Sequence, residues 1–455
     1  MKDRDMKFEL DRRNRLFPKT GGFLTITKSL AIAILIIPAI IASALAQTGG
    51  DTLRIEQVVR DAINHNDRAA AARYMEESAK DKIRPAGAWD DPMLMLGVAN
   101  LPTSFDFKMD PMTMKMIGIS QNIPYAGQKG LAKKAARADL DVSTEERRGV
   151  ESQLAVAAKQ AFYDLYYRGQ ILNELQRQRE IFQQIVDVTT AKLKANEAGQ
   201  EDLLAAQAEL GRFESEILSA QQSLDEARFN LNALRGTEVN SPLPVPAEPS
   251  VPAIPEKADE WLIAALGNYP ELRQANARSQ SYEFSAAAAR RMRWPMLGLS
   301  ANYNIREQGS LDMGPRDNMV GFQATLSLPI FSGRQQGKMA RSMEAMSRST
   351  DAEANQIRRD MEAQLRTTHQ RATRLTESLR LYHERIIPTS EDAFRAAFAG
   401  YTSNRTSLAT VLTYALTVSR DRITEYQISN DLGRTLAEAE RFTTDFGSAT
   451  DSDRK

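Results

Sequence analysis

The sequence contains no cysteine, which excludes disulfide scaffolds, thiolate zinc sites and thiol nucleophiles. Net charge is absent as well. The 59 Lys and Arg stand against 59 Asp and Glu, a balance that removes the electrostatic basis for nucleic-acid binding. Histidine is scarce: His65, His369 and His383 are too scattered to suggest a metal or acid–base centre. Apolar residues make up 42% of the chain and mean hydropathy is −0.44, which excludes a multi-helix membrane protein. These absences read as a protein that is not an enzyme and carries no cofactor.

Lys28 precedes an apolar run at 30–42, interrupted by Pro38. Ala44-Leu45-Ala46 then supplies small residues at the spacing a signal peptidase reads. Residues 1–46 are expected to be a signal peptide, cleaved near Ala46. About 13 apolar residues are too few for a membrane anchor, which needs roughly 20, and no cysteine follows to take a lipid. The stretch before the apolar run is long for a leader, and Met6 is an alternative start. Beyond residue 46 the chain carries 51 basic and 55 acidic side chains, a net charge of −4. An exported, mildly acidic chain points to the periplasm or outer membrane of a Gram-negative cell.

What the sequence does have is a duplication. Ala62-Ile63-Asn64-His65-Asn66 recurs as Leu266-Gly267-Asn268-Tyr269-Pro270, and Trp89-Asp90-Asp91-Pro92-Met93-Leu94 recurs as Met292-Arg293-Trp294-Pro295-Met296-Leu297. Ile117-Gly118-Ile119 and Tyr125-Ala126-Gly127 return as Val320-Gly321-Phe322 and Phe331-Ser332-Gly333. Matching positions differ by 203 to 206, with small loop insertions accounting for the drift, which marks tandem copies of one unit. The first repeat is placed at 47–239 and the second at 256–445. Between them 240–255 holds six prolines and no helix can cross it. A polar tail occupies 446–455.

Each unit reads as helix, strand, loop, strand, long helix, turn, helix. Strands are expected at about 92–101, 113–123, 295–304 and 318–329. Val320, Phe322, Ala324, Leu326 and Leu328 alternate with Gly321, Gln323, Thr325 and Ser327, a period of two with one apolar face. A small soluble sheet and an outer-membrane barrel both satisfy that alternation. Aromatics favour the barrel: Trp89 and Trp294 precede first strands while Tyr125 and Phe331 follow second strands. All four fall at one end, where an interfacial girdle belongs.

Long helices are expected over about 128–235 and 334–445, each folded back at a turn. Ala158, Leu165 and Leu172, then Val186 and Leu193, with Leu175 and Phe182, recur at heptad steps and call for lateral helix packing. A helix over 128–196 spans ~100 Å at ~1.5 Å per residue, and 334–402 is expected to form one unbroken helix of similar length. Such helices form a tube or rod. Four strands cannot close a barrel, for which eight is the usual minimum. A trimer supplies 12 and is the smallest assembly that leaves a lumen.

The duplicated plan, the Gln121-Asn122-Ile123-Pro124-Tyr125-Ala126-Gly127-Gln128-Lys129 junction and its partner Leu328-Pro329-Ile330-Phe331-Ser332-Gly333-Arg334 resemble the TolC family of outer-membrane efflux proteins. Tyr401-Thr402-Ser403-Asn404-Arg405-Thr406-Ser407-Leu408-Ala409-Thr410-Val411-Leu412 is similar to that family's helix–turn–helix tip. Asn64, Asp91-Pro92 and Met112-Thr113-Met114 look most like its heavy-metal efflux branch. The resemblance implies a mostly α chain with a small β part: a coiled-coil helical barrel plus four strands of a trimeric 12-stranded barrel. It also implies a homotrimer that docks to a periplasmic adaptor (membrane fusion) protein and an inner-membrane RND-type pump, with outer-membrane lipid around the strands.

On this reading the chain is a passive exit duct, with heavy-metal cations of copper/silver or zinc/cobalt type as cargo. The alternatives are drug efflux, type I protein secretion, or a structural coiled coil without a pore. Gly199, Glu201, Asp202, Asn404, Ser407 and Leu408 are the expected adaptor contacts at the tip. Asn404 stands where the family's tip turn has glycine, and the first tip keeps Gly199. The family's acidic gate positions match Thr410 and Thr413 here. Met93, Met95, Met114 and Met116 turn inward if Leu94, Leu96, Ile117 and Ile119 face lipid, and thioethers are soft ligands suited to Cu(I); methionine as a generic apolar filler is the competing explanation.

Overall fold

The computed structural model describes residues 52–307 and 317–446. The expected signal peptide at 1–46 and all but the first residue of the expected tail lie outside the described residues. Everything below concerns the compact unit that begins at Leu53.

Each repeat opens with two helices rather than the single one expected: α1 (Ile55–His65) and α2 (Asp67–Gly87) in the first, α5 (Ala258–Asn268) and α6 (Pro270–Arg291) in the second. Asn66 makes the first break. Its backbone is extended and its side chain accepts a bond from the Arg68 N–H at 2.9 Å, an N-cap that starts α2 afresh. Pro270 makes the second, because a proline holds the residue before it, Tyr269, out of helical geometry and then starts α6 without needing a donor.

Two pairs of strands follow these helices: β1 (Met93–Ala99) and β2 (Met114–Ile123), then β3 (Leu297–Ile305) and β4 (Met319–Leu326). They form one antiparallel sheet in the order β1-β2-β3-β4, so the central pairing joins the two repeats. Among the described residues neither β1 nor β4 has a neighbour on its outer edge. β4 stops three residues before its expected end, ahead of Pro329, whose missing N–H cannot extend a ladder.

Left-handed Gly127, with φ 85°, turns the chain from β2 into α3 (Gln128–Lys194), an unbroken helix of 67 residues. The helix α4 (Gln200–Leu234) returns beside it and ends at Gly236, φ 67°, where the Thr237 N–H reaches back to the Asn232 carbonyl at 3.1 Å. The second repeat departs from the unbroken helix expected. Its long helix is α7 (Gln336–Leu381), a π turn (Tyr382–Ile386) and α8 (Ile387–Thr402), followed by α9 (Leu408–Thr443). Pro388 is the physical reason: it has no N–H for the carbonyl four residues back and its ring crowds that carbonyl, which the wider turn accommodates. The Ile387 N–H accordingly bonds five residues back, to Tyr382.

α3 is the spine of the packing. Its strand-proximal half lies between α2 and α6, seen in Arg147–Glu76 at 2.7 Å and Arg273–Glu145 at 2.9 Å. Farther along, it lies against α9, with Arg434–Asp164 at 2.9 Å, and against α4. The heptad positions Ala158, Leu165, Leu175, Phe182 and Val186 are buried between these helices. The proline-rich connection runs extended: Val245 and Ala247 exchange backbone bonds with Leu53 at 3.0 and 2.9 Å. Leu53 itself is buried against Val58, Phe162 and Leu231, so the link between repeats is strapped to the helices. Among the described residues no helix is long and apolar enough to cross a membrane.

Candidate functional site

The strand register sorts the sheet into two chemically distinct faces, because residues paired directly across antiparallel strands share a face. Leu94 pairs with Ile119 and Leu96 with Ile117; Ile119 pairs with Ala301 and Ile117 with Tyr303; those two pair with Phe322 and Val320. This apolar face is exposed, Leu96 at 72% and Phe322 at 84%, which suits contact with lipid chains. The opposite face carries Ser120, Asn122, Ser300, Asn302, Gln323 and Thr325, together with Met93, Met95, Met114 and Met116. Met319, paired with Asn304, joins the same face. Sequence reasoning missed it, although the period-two alternation extended back from Gly321 identifies it. Asn302 bonds Asn304 at 2.9 Å and fills the space that two glycines leave open. A Cβ on Gly118 would sit 2.9 Å from the Asn302 Cβ, and one on Gly321 2.6 Å from its Oδ1.

All four aromatic positions flank the helix-proximal strand ends. Tyr125 and Trp294 stack, ring centroids 5.1 Å apart and nearly parallel, which ties the exit of β2 to the entrance of β3. Trp89 and Phe331 stand exposed on either side. Lys129 on the first turn of α3 pairs with Asp90 at 3.1 Å at the same level.

The far end of the long helices carries two turns of matching geometry. Asn196 and Asn404 both adopt left-handed backbones, φ 59° and 60°. The next residue bonds back across each turn, Glu197 to the Lys192 carbonyl and Arg405 to the Gly400 carbonyl, both at 2.8 Å. Asn404 therefore answers to Asn196 and not to Gly199. Gly199 is extended, φ −81°, and precedes α4 as Ser407 precedes α9. The Ser407 hydroxyl accepts the Thr410 N–H at 3.3 Å, while Glu201 and Asp202 occupy the first turn of α4, where the helix dipole favours acid. Leu408 corrects the expected surface: it is 2% exposed and packs with Phe182, Tyr401 and Val411. It holds the tip together from inside and offers a partner nothing.

A polar cluster joins the two turns. The Lys192 ammonium meets the Asn404 side-chain oxygen, lies 3.6 Å from Glu197 and sits 5.0 Å over the Tyr401 ring. The Tyr401 hydroxyl bonds Thr189 at 3.1 Å. Burial pushes the Tyr401 phenol above its usual range, Asp202 adds to the rise and the Thr189 bond opposes it. The histidines stay apart: His65 is exposed, His369 bonds the Pro255 carbonyl at 2.8 Å and His383 pairs with Glu425 at 3.0 Å. Among the described residues no group of three or more His, Asp or Glu is placed to hold a metal ion.

The family model for outer membrane efflux proteins matches residues 261–438, most of the second repeat. Over that stretch the chain resembles outer membrane efflux proteins. It is similar to the cobalt-zinc-cadmium resistance protein CzcC of Cupriavidus metallidurans, 22% identical over 306 residues, which is 66% of this chain and 71% of that protein. Its fold is similar to that of the outer-membrane channel OprN, with a TM-score of 0.72 and 16% identity over 86% of this chain and 90% of the other. CusC gives 0.72 and 16% over 85% and 91%, and VceC of Vibrio cholerae 0.71 and 15% over 86% and 95%. Outer membrane efflux proteins are what the matching family model describes, and OprN is an outer-membrane channel.

Proposed function

We propose that three copies of this chain form the exit duct of a tripartite efflux system that passes heavy-metal cations out of the cell. The sheet's two free edges carry the reading. A four-stranded sheet with one apolar face and unpaired β1 and β4 is an open edge that must be paired or covered, and pairing β4 of one copy with β1 of the next closes twelve strands at the third copy. Exposed apolar residues on the helices, Leu204 and Leu218 on α4 and Met339 and Met346 on α7, are available for a matching helical seam. The similarity to a cobalt-zinc-cadmium resistance protein supports a metal cargo.

Energy comes from an inner-membrane pump of the RND type, reached through a periplasmic adaptor at the tip turns. The exposed part of that tip, around Asn196, Glu197, Glu201, Asn404, Arg405 and Ser407, is the docking surface, with Gly199 and Asp202 half-buried within it. Trp89, Tyr125, Trp294 and Phe331 mark the membrane boundary nearest the helices.

Growth of a deletion strain on graded copper, silver, zinc, cobalt and nickel, beside dyes and detergents, tests the cargo. Metal sensitivity restored by the gene supports the reading. Sensitivity to dyes and detergents alone overturns it in favour of a general drug duct. A native mass other than that of three chains overturns the assembly.

A further inference from the structure

Methionine is distributed unevenly over the sheet. The polar face carries five, Met93, Met95, Met114, Met116 and Met319, and the apolar face carries none; its apolar positions are Leu, Ile, Val, Phe, Tyr and Ala. A flexible hydrocarbon-like filler belongs on the lipid side, where it replaces leucine at little cost. Here it sits on the side that the barrel turns toward water, where Met93, Met95 and Met319 are 56%, 41% and 47% exposed. Packing alone gives no reason for that choice.

The rest of the polar face is as informative. Its other positions are Gly, Ala, Ser, Thr, Asn and Gln, with no carboxylate, imidazole or ammonium among them; the strands' one ammonium, Lys115, lies on the opposite face beside Val98 and Ile305. Hard and borderline cations such as Zn²⁺ and Co²⁺ take oxygen and imidazole nitrogen, and this lining offers them only neutral amide and hydroxyl oxygen. Thioether sulfur, by contrast, holds soft monovalent cations.

Spacing permits shared contacts. Met116 and Met114 are two apart on β2, and Met116 lies diagonal to Met95 across the β1–β2 pair, an offset of about 7–8 Å between backbones that long side chains bridge. The Met116 methyl folds over Gly97, which leaves room for it: a Cβ there would lie 3.5 Å away. Met116 and Met319 flank Asn304 from either side.

We propose that this methionine face is a relay of weak binding positions for soft, thiophilic monovalent cations, Ag⁺ and Cu⁺ in type, in place of the divalent cations of the cobalt-zinc-cadmium relative. The inference rests on the exit-duct reading and names its substrate class.

The test uses the full-length protein in detergent, labelled with ¹³C at the methionine methyls, with Ag⁺ as the probe and Zn²⁺ as the control. The expected result is a saturable shift of the polar-face methyl signals with Ag⁺ and none with Zn²⁺. Signals from Met339 and Met346 on α7 stay in place. A combined Met→Leu variant at 93, 95, 114, 116 and 319 keeps its volume and its K⁺ conductance and loses at least tenfold in Ag⁺ affinity. Unmoved polar-face signals, or equal shifts with Zn²⁺, overturn the proposal without using a variant; so does a conducting variant that binds Ag⁺ as well as the wild type. A deletion strain indifferent to every metal while the purified protein binds Ag⁺ at these methyls overturns the efflux reading and leaves the binding site standing.

Discussion

The ammonium of Lys192 on α3 is held by the side chain of Asn404, 212 residues later in the chain and in the opposite repeat. Lys192 is only 8% exposed, and its ammonium is met by Asn404, Glu197 and the Tyr401 ring. Lys192→Met keeps the aliphatic packing and removes the tie between the two turns. A charge-assisted bond of this kind is worth about 1.5–3 kcal/mol. The expected outcome is a lower melting temperature and longer open times in planar bilayers; an unchanged open time rules out the tie as a restraint on the tip.

Left-handed backbone costs an ordinary side chain roughly 1–2 kcal/mol, and asparagine is among the residues that tolerate it. Asn196→Ala is expected to destabilise by about 1 kcal/mol, whereas Asn196→Gly is near neutral in chemical denaturation. Gly199→Ala places a Cβ against the Glu201 carboxylate, a movable side chain, on a backbone any residue adopts. It is expected to be tolerated. A larger loss from Gly199→Ala than from Asn196→Ala contradicts this account.

These tip positions show where a single sequence is legible. Heptads at Ala158, Leu165, Leu175 and Phe182 announced the helical packing because burial of an apolar stripe repeats with the helix. The alternation around Val320–Leu326 announced the strands in the same way, and the duplicated Trp and Tyr/Phe positions located their shared end. Gly199 misled because glycine is only the commonest left-handed residue, and Asn196 three residues earlier serves as well. Leu408 misled because residues beside a turn look exposed until the packing of four helices is known. Pro388 and Pro270 were local signals, readable in principle: the first lacks a donor inside a helix and the second holds the residue before it out of helical geometry. The tie between Lys192 and Asn404 leaves no local trace, since it depends on the three-dimensional meeting of two repeats.

Arg147 is 7% exposed and bonds Glu76 and Glu151 at 2.7 Å each; Glu151 is 1% exposed. Arg147→Met leaves the buried Glu151 carboxylate, between α2 and α3, with only the more distant Arg73 at 3.9 Å. Removing one partner of a buried ion pair costs about 3–5 kcal/mol. The expected outcome is a loss of that order in guanidinium unfolding, with much of it recovered in the Arg147→Met, Glu151→Met double variant. Strictly additive losses contradict the pairing.

Burial raises the Glu145 carboxyl above its usual range, against the lowering pull of Arg148 and Arg273. The folded protein therefore binds this proton more tightly than the unfolded chain does. That contribution to stability is complete below the ordinary glutamate value of about 4.3 and is lost as pH rises through the folded value. Glu145→Gln fixes the neutral form. Relative to wild type it is expected to gain stability as pH rises from the acid range toward neutrality, measured by thermal melts. A difference that grows in the opposite direction shows the two arginines outweighing burial.

The Cβ of alanine at position 118 would lie 2.8 Å from the Ala301 carbonyl oxygen, a backbone atom that cannot step aside. Gly118→Ala is expected to disturb the β2–β3 pairing that joins the repeats, at a cost of about 1–3 kcal/mol. The measurement is the fraction of heat-resistant oligomer on a gel, which falls in the variant while far-ultraviolet helix content is retained.

Duplication gave the chain two copies of one stave, and they have not stayed alike. The first is a single rigid beam through Gln128–Lys194; the second is spliced at Tyr382–Ile386 by a widened turn ahead of a proline. In the threefold assembly proposed above, stiff and compliant staves would alternate, three of each. Bending would then concentrate at three equivalent joints and spare the other three beams. A single gene would thereby supply both the frame that keeps a wall upright and the panels that yield within it.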